Sequence, residues 1–384
     1  MRARELGLEV GVLPPGPNDA ITDVGGVRVG HSTITRGDGP LVVGEGPVRT
    51  GVTVVCPREG LARDEPAYAG CHRFNGNGEM TGLEWIREAG ALTTPVGITN
   101  THSVGVVRDA LVAAELEARS DADEYWSLPA VAETYDGTLN DINGQHVTAG
   151  RASEALANAA GGPVTEGSVG GGTGMICHEF KGGIGTASRR IPEERGGWTV
   201  GALVQANYGS RSKLRVDGAP VGCVLTTDRV PSPFASEKNE RPAGTGSIIV
   251  VLATDAPLLP GQCDRLAQRA GVGLSRMGGG LDDGSGDIFL AFATGNRGLP
   301  RVGASEVPLT VPVRTVPSER MTPLFQAAAE ATEAAILSAL LAAGTVTGRD
   351  GITAHGLAPG LLLGALDEAR PLVGRRGRPE KPDH

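Results

Sequence analysis

The chain has 384 residues, 40% of them hydrophobic and 21% charged, with a formal net charge of −9 and a pI near 5.4. That is enough apolar material for a substantial core in one large domain or two ordinary ones. The acidic balance argues against nucleic acid as a partner, because neutralising phosphates needs a basic face. No uninterrupted apolar window reaches the length of a bilayer span, and the N-terminal stretch MRARELGLEVGVLPPG lacks the apolar core of a secretion signal, so the expected address is the cytoplasm without membrane attachment.

Five cysteines, Cys56, Cys71, Cys177, Cys223 and Cys263, are odd in number and form no CxxC pair, so they read as small core residues rather than a disulfide framework or zinc knuckle. Glycine is abundant, 59 residues, with no collagen-like period, while aromatics are only 3%. Such an interior is filled by Val, Leu, Ile and Ala, which suits sheets and helices approaching closely through Gly and Ala.

In chain order, strands are expected from Gly25 (GGVRVGHSTI), Gly51 (GVTVVC), Pro95 (PVGITN), Trp198 (WTVGALVQAN), Ser247 (SIIVVLATD) and Gly286 (GDIFLAFAT), most of them β-branched runs bounded by Gly or Pro. Helices are expected in GLEWIREAG, in SVGVVRDALVAAELEARS after His102, in RASEALANAA, in PGQCDRLAQRAGVGLSRMG and in TPLFQAAAEATEAAILSALLAAG, the last with Thr322 as N-cap, Pro323 at its first position and Gly344 beyond its end. Few NG or DG signals connect the strands, which favours large sheets flanked by helices over a barrel. The segment Thr227–Gly246, TDRVPSPFASEKNERPAGTG, shows neither period and reads as a long exposed loop. The C-terminal GRRGRPEKPDH reads as a solvated tail, with disorder expected over about 366–384.

The loop ends directly at Ser247. Taken alone, a serine there simply begins a strand. The chemical reading is that the Gly246 carbonyl, next to a residue without a side chain, is open to attack by the Ser247 hydroxyl. An N-to-O acyl shift and hydrolysis would cut the Gly246/Ser247 bond, and the new α-amine, with an ordinary pKa of about 7.7 to 8.0, would act as general base for its own hydroxyl. No catalytic histidine is then required. The seven histidines form no HExxH and no ligand cluster, and no metal or other cofactor is called for.

Separated blocks shift the balance: GPNDAITDVGGVRVGHST from Gly16, NGNGEMTGLEWIREAG from Asn75, AETYDGTLNDI from Ala132, GSVGGGTGMICHEFKGGIGTASR from Gly167, VQANYG from Val204, GTGSIIVVLATDAPL and GGGLDDGSGDIFLAFATGN from Gly278. Together they resemble the DmpA-like family of self-processing aminopeptidases, which includes L-aminopeptidase/D-amidase/esterases and β-peptidyl aminopeptidases. The resemblance implies an α+β fold, a four-layer αββα sandwich of the N-terminal-nucleophile-hydrolase kind, and a homotetramer. It implies an α-polypeptide, residues 1–246, and a β-polypeptide, residues 247–384, forming one catalytic domain.

Residue by residue, the resemblance makes Ser247 the nucleophile, with Ser285 and Asp287 hydrogen-bonded to it and its amine; the β-peptidyl members carry Glu where this chain has the shorter Asp287. Asn207 falls on the oxyanion donor, Glu133 on a carboxylate that receives the substrate's amino group, and Tyr135 on a tyrosine near the reacting carbonyl. Spacing alone would put Glu133 and Tyr135 on one face of an extended segment. Without the resemblance, Asn207 reads as a turn-former and the Glu133/Tyr135 pair as a solvated rim. The substrate implied is a small peptide or an amino-acid amide or ester, of L-amino acids, D-alanine or β-amino acids, with Tyr135 inclining the reading toward the L-aminopeptidase/D-amidase branch.

GSVGGGTG and KGGIGT match no phosphate-binding motif and read as backbone-packing loops around the site, and Ser210/Lys213 fit SxxK with no SDN or KTG behind it. Three alternatives stay open: an acyltransferase of the ornithine-acetyltransferase type and a nylon-oligomer-type amidase, whose nucleophile is threonine, and a non-catalytic assembly protein.

Overall fold

The computed structural model describes residues 2–119, 125–234, 246–301 and 306–373. Its centre is a six-stranded sheet in the order Ala91–Leu92, Ala67–Gly76, Ser285–Ala293, Gly246–Thr254, Thr199–Asn207 and Gly183–Arg190. Only the Gly246–Thr254 and Ser285–Ala293 pair runs parallel within it. A second sheet orders Arg28–Arg36, Val48–Cys56, Val96–Asn100 and Ala130–Thr134.

The three innermost strands of the large sheet are buried at every position, because both faces are covered. Along Gly246–Thr254, Ile248, Val250 and Leu252 pack toward helices Pro260–Gln268 and Thr322–Ala342, while Ile249, Val251 and Ala253 face the second sheet. A continuous apolar run is what burial on both faces demands. The second sheet's outer face, with Val52, Val54 and Val131, packs on helices Val104–Ala118 and Ala149–Ala157. The order is therefore helix, sheet, sheet, helix: the expected four layers in an α+β chain.

Several expectations change in detail. The Thr322–Ala342 helix is capped by Met321, not Thr322, because the turn Ser318–Arg320 already carries Met321 into helical angles. This helix has the length and mean hydropathy, 1.3, of a membrane span, but 89% of that window lies buried inside the protein. The segment after Pro260 splits into Pro260–Gln268 and Ala270–Arg276; Gly273 lies so close to the long helix that a Cβ on it would meet Ala329 O at 2.5 Å. KGGIGT is no loop beyond Gly182 but opens the strand Gly183–Arg190. There Gly185 touches the long helix, where a Cβ would meet Ala335 O at 2.0 Å.

The strands Ala67–Gly76 and Ala130–Thr134 and the helix Pro359–Ala369 were not expected. That helix, with buried Leu366 and Ala369, followed by the turn Arg370–Leu372, replaces the front of the expected tail; residues 374–384 lie outside the described residues. Residues 227–234 of the expected loop form no helix or strand, and 235–245 lie outside the described residues. Four cysteines are buried as expected, whereas Cys223 is exposed.

Candidate active site

Ser247 begins the strand beside Ser285–Ala293, in register with Gly286 on one side and Asn207 on the other. Its hydroxyl donates to Gly246 O at 2.8 Å and accepts from Gly286 N at 3.2 Å. By alternation with Ile249 it faces the space between the sheets. Gly246 is fixed as glycine by packing: a Cβ there would meet Asn207 O at 2.1 Å and Tyr208 Cα at 2.9 Å. The strand opposite the nucleophile thus leaves no room for a side chain at the residue before it.

Ser285 Oγ donates to Asp287 Oδ1 at 2.6 Å, while Asp287 Oδ2 is buried without a hydrogen-bond partner. Burial pushes the Asp287 carboxyl up to about 6, against the opposing pull of the Ser285 hydroxyl and the Ile248 amide. Ile248 is in register with Asp287, so Asp287 is one register step from Ser247 and its backbone nitrogen. An orphaned buried carboxylate oxygen is costly, and a cation formed at that nitrogen would satisfy it. The shorter Asp287 therefore lies within one register step of the amine it is expected to meet.

The Asn207 amide is locked by two main-chain groups: Nδ2 donates to Tyr135 O at 2.9 Å, and Ile176 N donates to Oδ1 at 2.8 Å. These partners assign the amide's orientation, and its second N–H remains for another acceptor. Ile176 follows the glycine-rich turn Gly170–Gly172, which threads between the sheets. Gly171 could carry no side chain there, since a Cβ would meet Gln205 Oε1 at 2.1 Å. GSVGGGTG is thus the backbone-packing segment its composition suggested.

Glu133 is buried, accepting from Glu79 N at 3.1 Å and from the Thr101 hydroxyl. Burial raises its pKa, opposed by those two donors. Gly78 spans the gap to the nucleophile's neighbour: a Cβ on it would lie 3.2 Å from both Glu133 Oε1 and Gly286 Cα. The expected shared face of Glu133 and Tyr135 is not carried by strand alternation. The strand ends at Thr134, so period-two spacing stops there; the Tyr135 ring turns back over Gly137, whose added Cβ would meet the Tyr135 hydroxyl at 2.4 Å. It is the Tyr135 carbonyl, not its ring, that holds Asn207.

Ser247, Asn207, Ser285 and Asp287 thus come together, Glu133 joins them through Gly78, and Tyr135 joins through its backbone. Sequence reasoning missed the Glu79 amide, Thr101 and Ile176. Only Thr101, the residue directly after the expected strand Pro95–Asn100, offered a side-chain signal. Lys213 of the SxxK match pairs with Asp282.

A model described as "Peptidase family S58" matches residues 19–354. The chain is 49% identical over 377 residues, 97% of this chain and 93% of the relative, to the beta-peptidyl aminopeptidase BapA of Sphingosinicella microcystinivorans. Among solved structures, a Burkholderia sp. beta-aminopeptidase superposes with a TM-score of 0.89 at 59% identity, covering 96% of this chain and 99% of that one. The L-aminopeptidase D-ala-esterase/amidase of Ochrobactrum anthropi, a variant of the Ntn hydrolase fold, gives 0.87 at 43% identity, covering 96% and 98%.

Proposed function

The chain belongs to peptidase family S58 and is an aminopeptidase hydrolase, and from that premise we propose that it is cut between Gly246 and Ser247 and releases N-terminal β-amino acids from small peptides through an acyl-enzyme on Ser247. The observation that carries this reading is the Ser247 hydroxyl, held between Gly246 O and Gly286 N, with Asp287 one register step away. Membership of a peptidase family leaves the acyltransferase and non-catalytic readings without support, and the serine at position 247 disfavours the nylon-oligomer type, whose nucleophile is threonine.

In the precursor, Ser247 Oγ attacks the Gly246 carbonyl carbon; the C–N bond breaks, an ester forms, and water releases residues 1–246. The new α-amine takes the hydroxyl proton as Oγ attacks the substrate carbonyl. Asn207 Nδ2 donates its second N–H to the oxyanion, an interaction typically worth about 2.7 to 4 kcal/mol of barrier. The ammonium, paired with Asp287, returns its proton to the leaving nitrogen. The same amine then deprotonates water, which attacks the ester carbonyl; the C–Oγ bond breaks, the ammonium returns the proton to Oγ, and the free acid leaves.

Glu133 receives the substrate's ammonium, which limits the enzyme to unblocked N-termini. The names of two relatives favour β-amino acids over the L- and D-substrates toward which Tyr135 inclined the sequence reading. The proposal includes a homotetramer working in the cytoplasm; five free cysteines support a reducing compartment.

Denaturing electrophoresis and a substrate panel test it. Two chains are expected, the smaller beginning at Ser247, with faster release of p-nitroaniline from β-aminoacyl than from L- or D-aminoacyl anilides. One uncut but active chain would sink the mechanism, and faster L-substrates would overturn the substrate class.

A further inference from the structure

Lys181 is fully buried, and among the described residues the ionisable group that acts on its ammonium is the Cys177 thiol rather than a carboxylate. Its ammonium is held by three main-chain carbonyls, Gly182 at 2.8 Å, Met175 at 2.9 Å and Gly172 at 3.1 Å. Three acceptors match the three donors of an ammonium, whereas a neutral amine has two. Burying a cation without a counter-ion costs several kcal/mol. A Met or Leu would fill the same space more cheaply, so the charge calls for a use.

The three carbonyls point to one. Met175 O belongs to the peptide whose N–H, on Ile176, donates to Asn207 Oδ1 at 2.8 Å. It also accepts from Gly182 N at 2.9 Å. Drawing electron density toward the Met175 oxygen makes the Ile176 N–H a stronger donor. That in turn strengthens the N–H donors of the Asn207 amide, as linked hydrogen bonds polarise one another in a low-dielectric interior. Gly172 O and Met175 O bracket the turn that carries Ile176, so the ammonium also fixes its position. The local hairpin does not need the side chain: Ile176 and Lys181 pair through backbone, and Lys181 N donates to His355 O at 2.7 Å.

We infer that Lys181 is a positioning residue for the oxyanion site, acting through the Met175–Ile176 peptide on the Asn207 amide. This rests on the reading of Asn207 as the oxyanion donor. Burial drives the lysine down toward about 7, and the three carbonyls are the groups placed to keep its third proton.

The test is a double-mutant cycle in the full-length protein with Lys181→Met, Asn207→Ala and the double variant, turnover of a β-aminoacyl p-nitroanilide being normalised to cleaved chain. Lys181→Met is expected to lower kcat roughly tenfold with KM within about twofold of the parent, and to cost nothing further once Asn207 is Ala. Unchanged kcat, or an equal loss in both backgrounds, overturns the inference. An Asn207→Ala variant with normal kcat instead removes the oxyanion reading beneath it. Lys181→Gln, which keeps neutral donors, guards against a folding defect and should lose the same kcat at a native melting temperature. Failure of both variants to fold, or a folded variant that remains uncut, assigns the lysine to stability or maturation and overturns the proposal.

Discussion

The Ser247 hydroxyl donates to the carbonyl oxygen of Gly246, the residue bonded to its own nitrogen, at 2.8 Å. The same glycine packs so tightly against Asn207 O that a Cβ would come within 2.1 Å of it. The attacking group and the bond it would break are therefore held together by the sheet. Ser247→Ala should leave one intact, inactive chain, and Gly246→Ala should slow or abolish cleavage by pushing the strand start off Asn207. Mass spectrometry of the purified chains reads both; a normal cut in Ser247→Ala would falsify the assignment.

Asn207→Ala should lower kcat by roughly 10²- to 10³-fold with a smaller effect on KM, since the oxyanion exists only in the transition state. It also strands Ile176 N, so a loss of about 1–3 kcal/mol in stability is expected alongside. Kinetics on cleaved enzyme and thermal melting separate the two, and a KM effect without a kcat effect would instead place Asn207 in ground-state binding.

Glu133→Gln should raise KM for free-amine substrates at least tenfold, and discrimination against N-acetylated analogues should shrink. Because burial holds the Glu133 pKa above the ordinary range, substrate affinity should weaken at a higher pH on acidification than an exposed glutamate would give. An unchanged KM and an unchanged preference for free amines would remove Glu133 from the substrate's amino group.

In the uncut Ser247→Ala chain, Asp287 has no cation beside its free oxygen and a folded pKa of about 6, above its ordinary value of 3.8. The folded state then binds more protons than the unfolded state between those values, so stability must fall as pH rises from about 4 to 6. Glu133, Asp136 and Glu166 are shifted in the same direction. Adding Asp287→Asn should remove its own share, on the order of 3 kcal/mol, as measured by denaturant unfolding across that range. An identical slope in the two chains would show that Asp287 titrates normally.

Gly185→Ala should destabilise the protein by about 3 kcal/mol, because the added methyl would press on Ala335 O and on the Ala339 nitrogen and Cβ in a closely packed helix. Urea unfolding measures it, and a change below about 0.5 kcal/mol would mean the helix can back away freely.

The sequence determined much of this protein. Its β-branched runs coincided with the inner strands, and the long alanine-rich helix was legible from its apolar length and the Pro and Gly that bound it. Ser247 stood out because a polar segment with neither helical nor strand period met a β-branched apolar run there. The strand Ala130–Thr134 and the glycine-led strand Gly183–Arg190 were hidden because short runs and glycines carry little periodic signal. The tertiary structure decided the rest. Asn207 lies 40 residues before Ser247 in the chain but directly opposite it in the ladder, and Glu133 reaches Gly286 only across Gly78. Lys181 looked like part of a loop until three carbonyls closed on it. Such relations depend on register between distant strands and on how closely glycines let layers approach, quantities that local pattern does not encode.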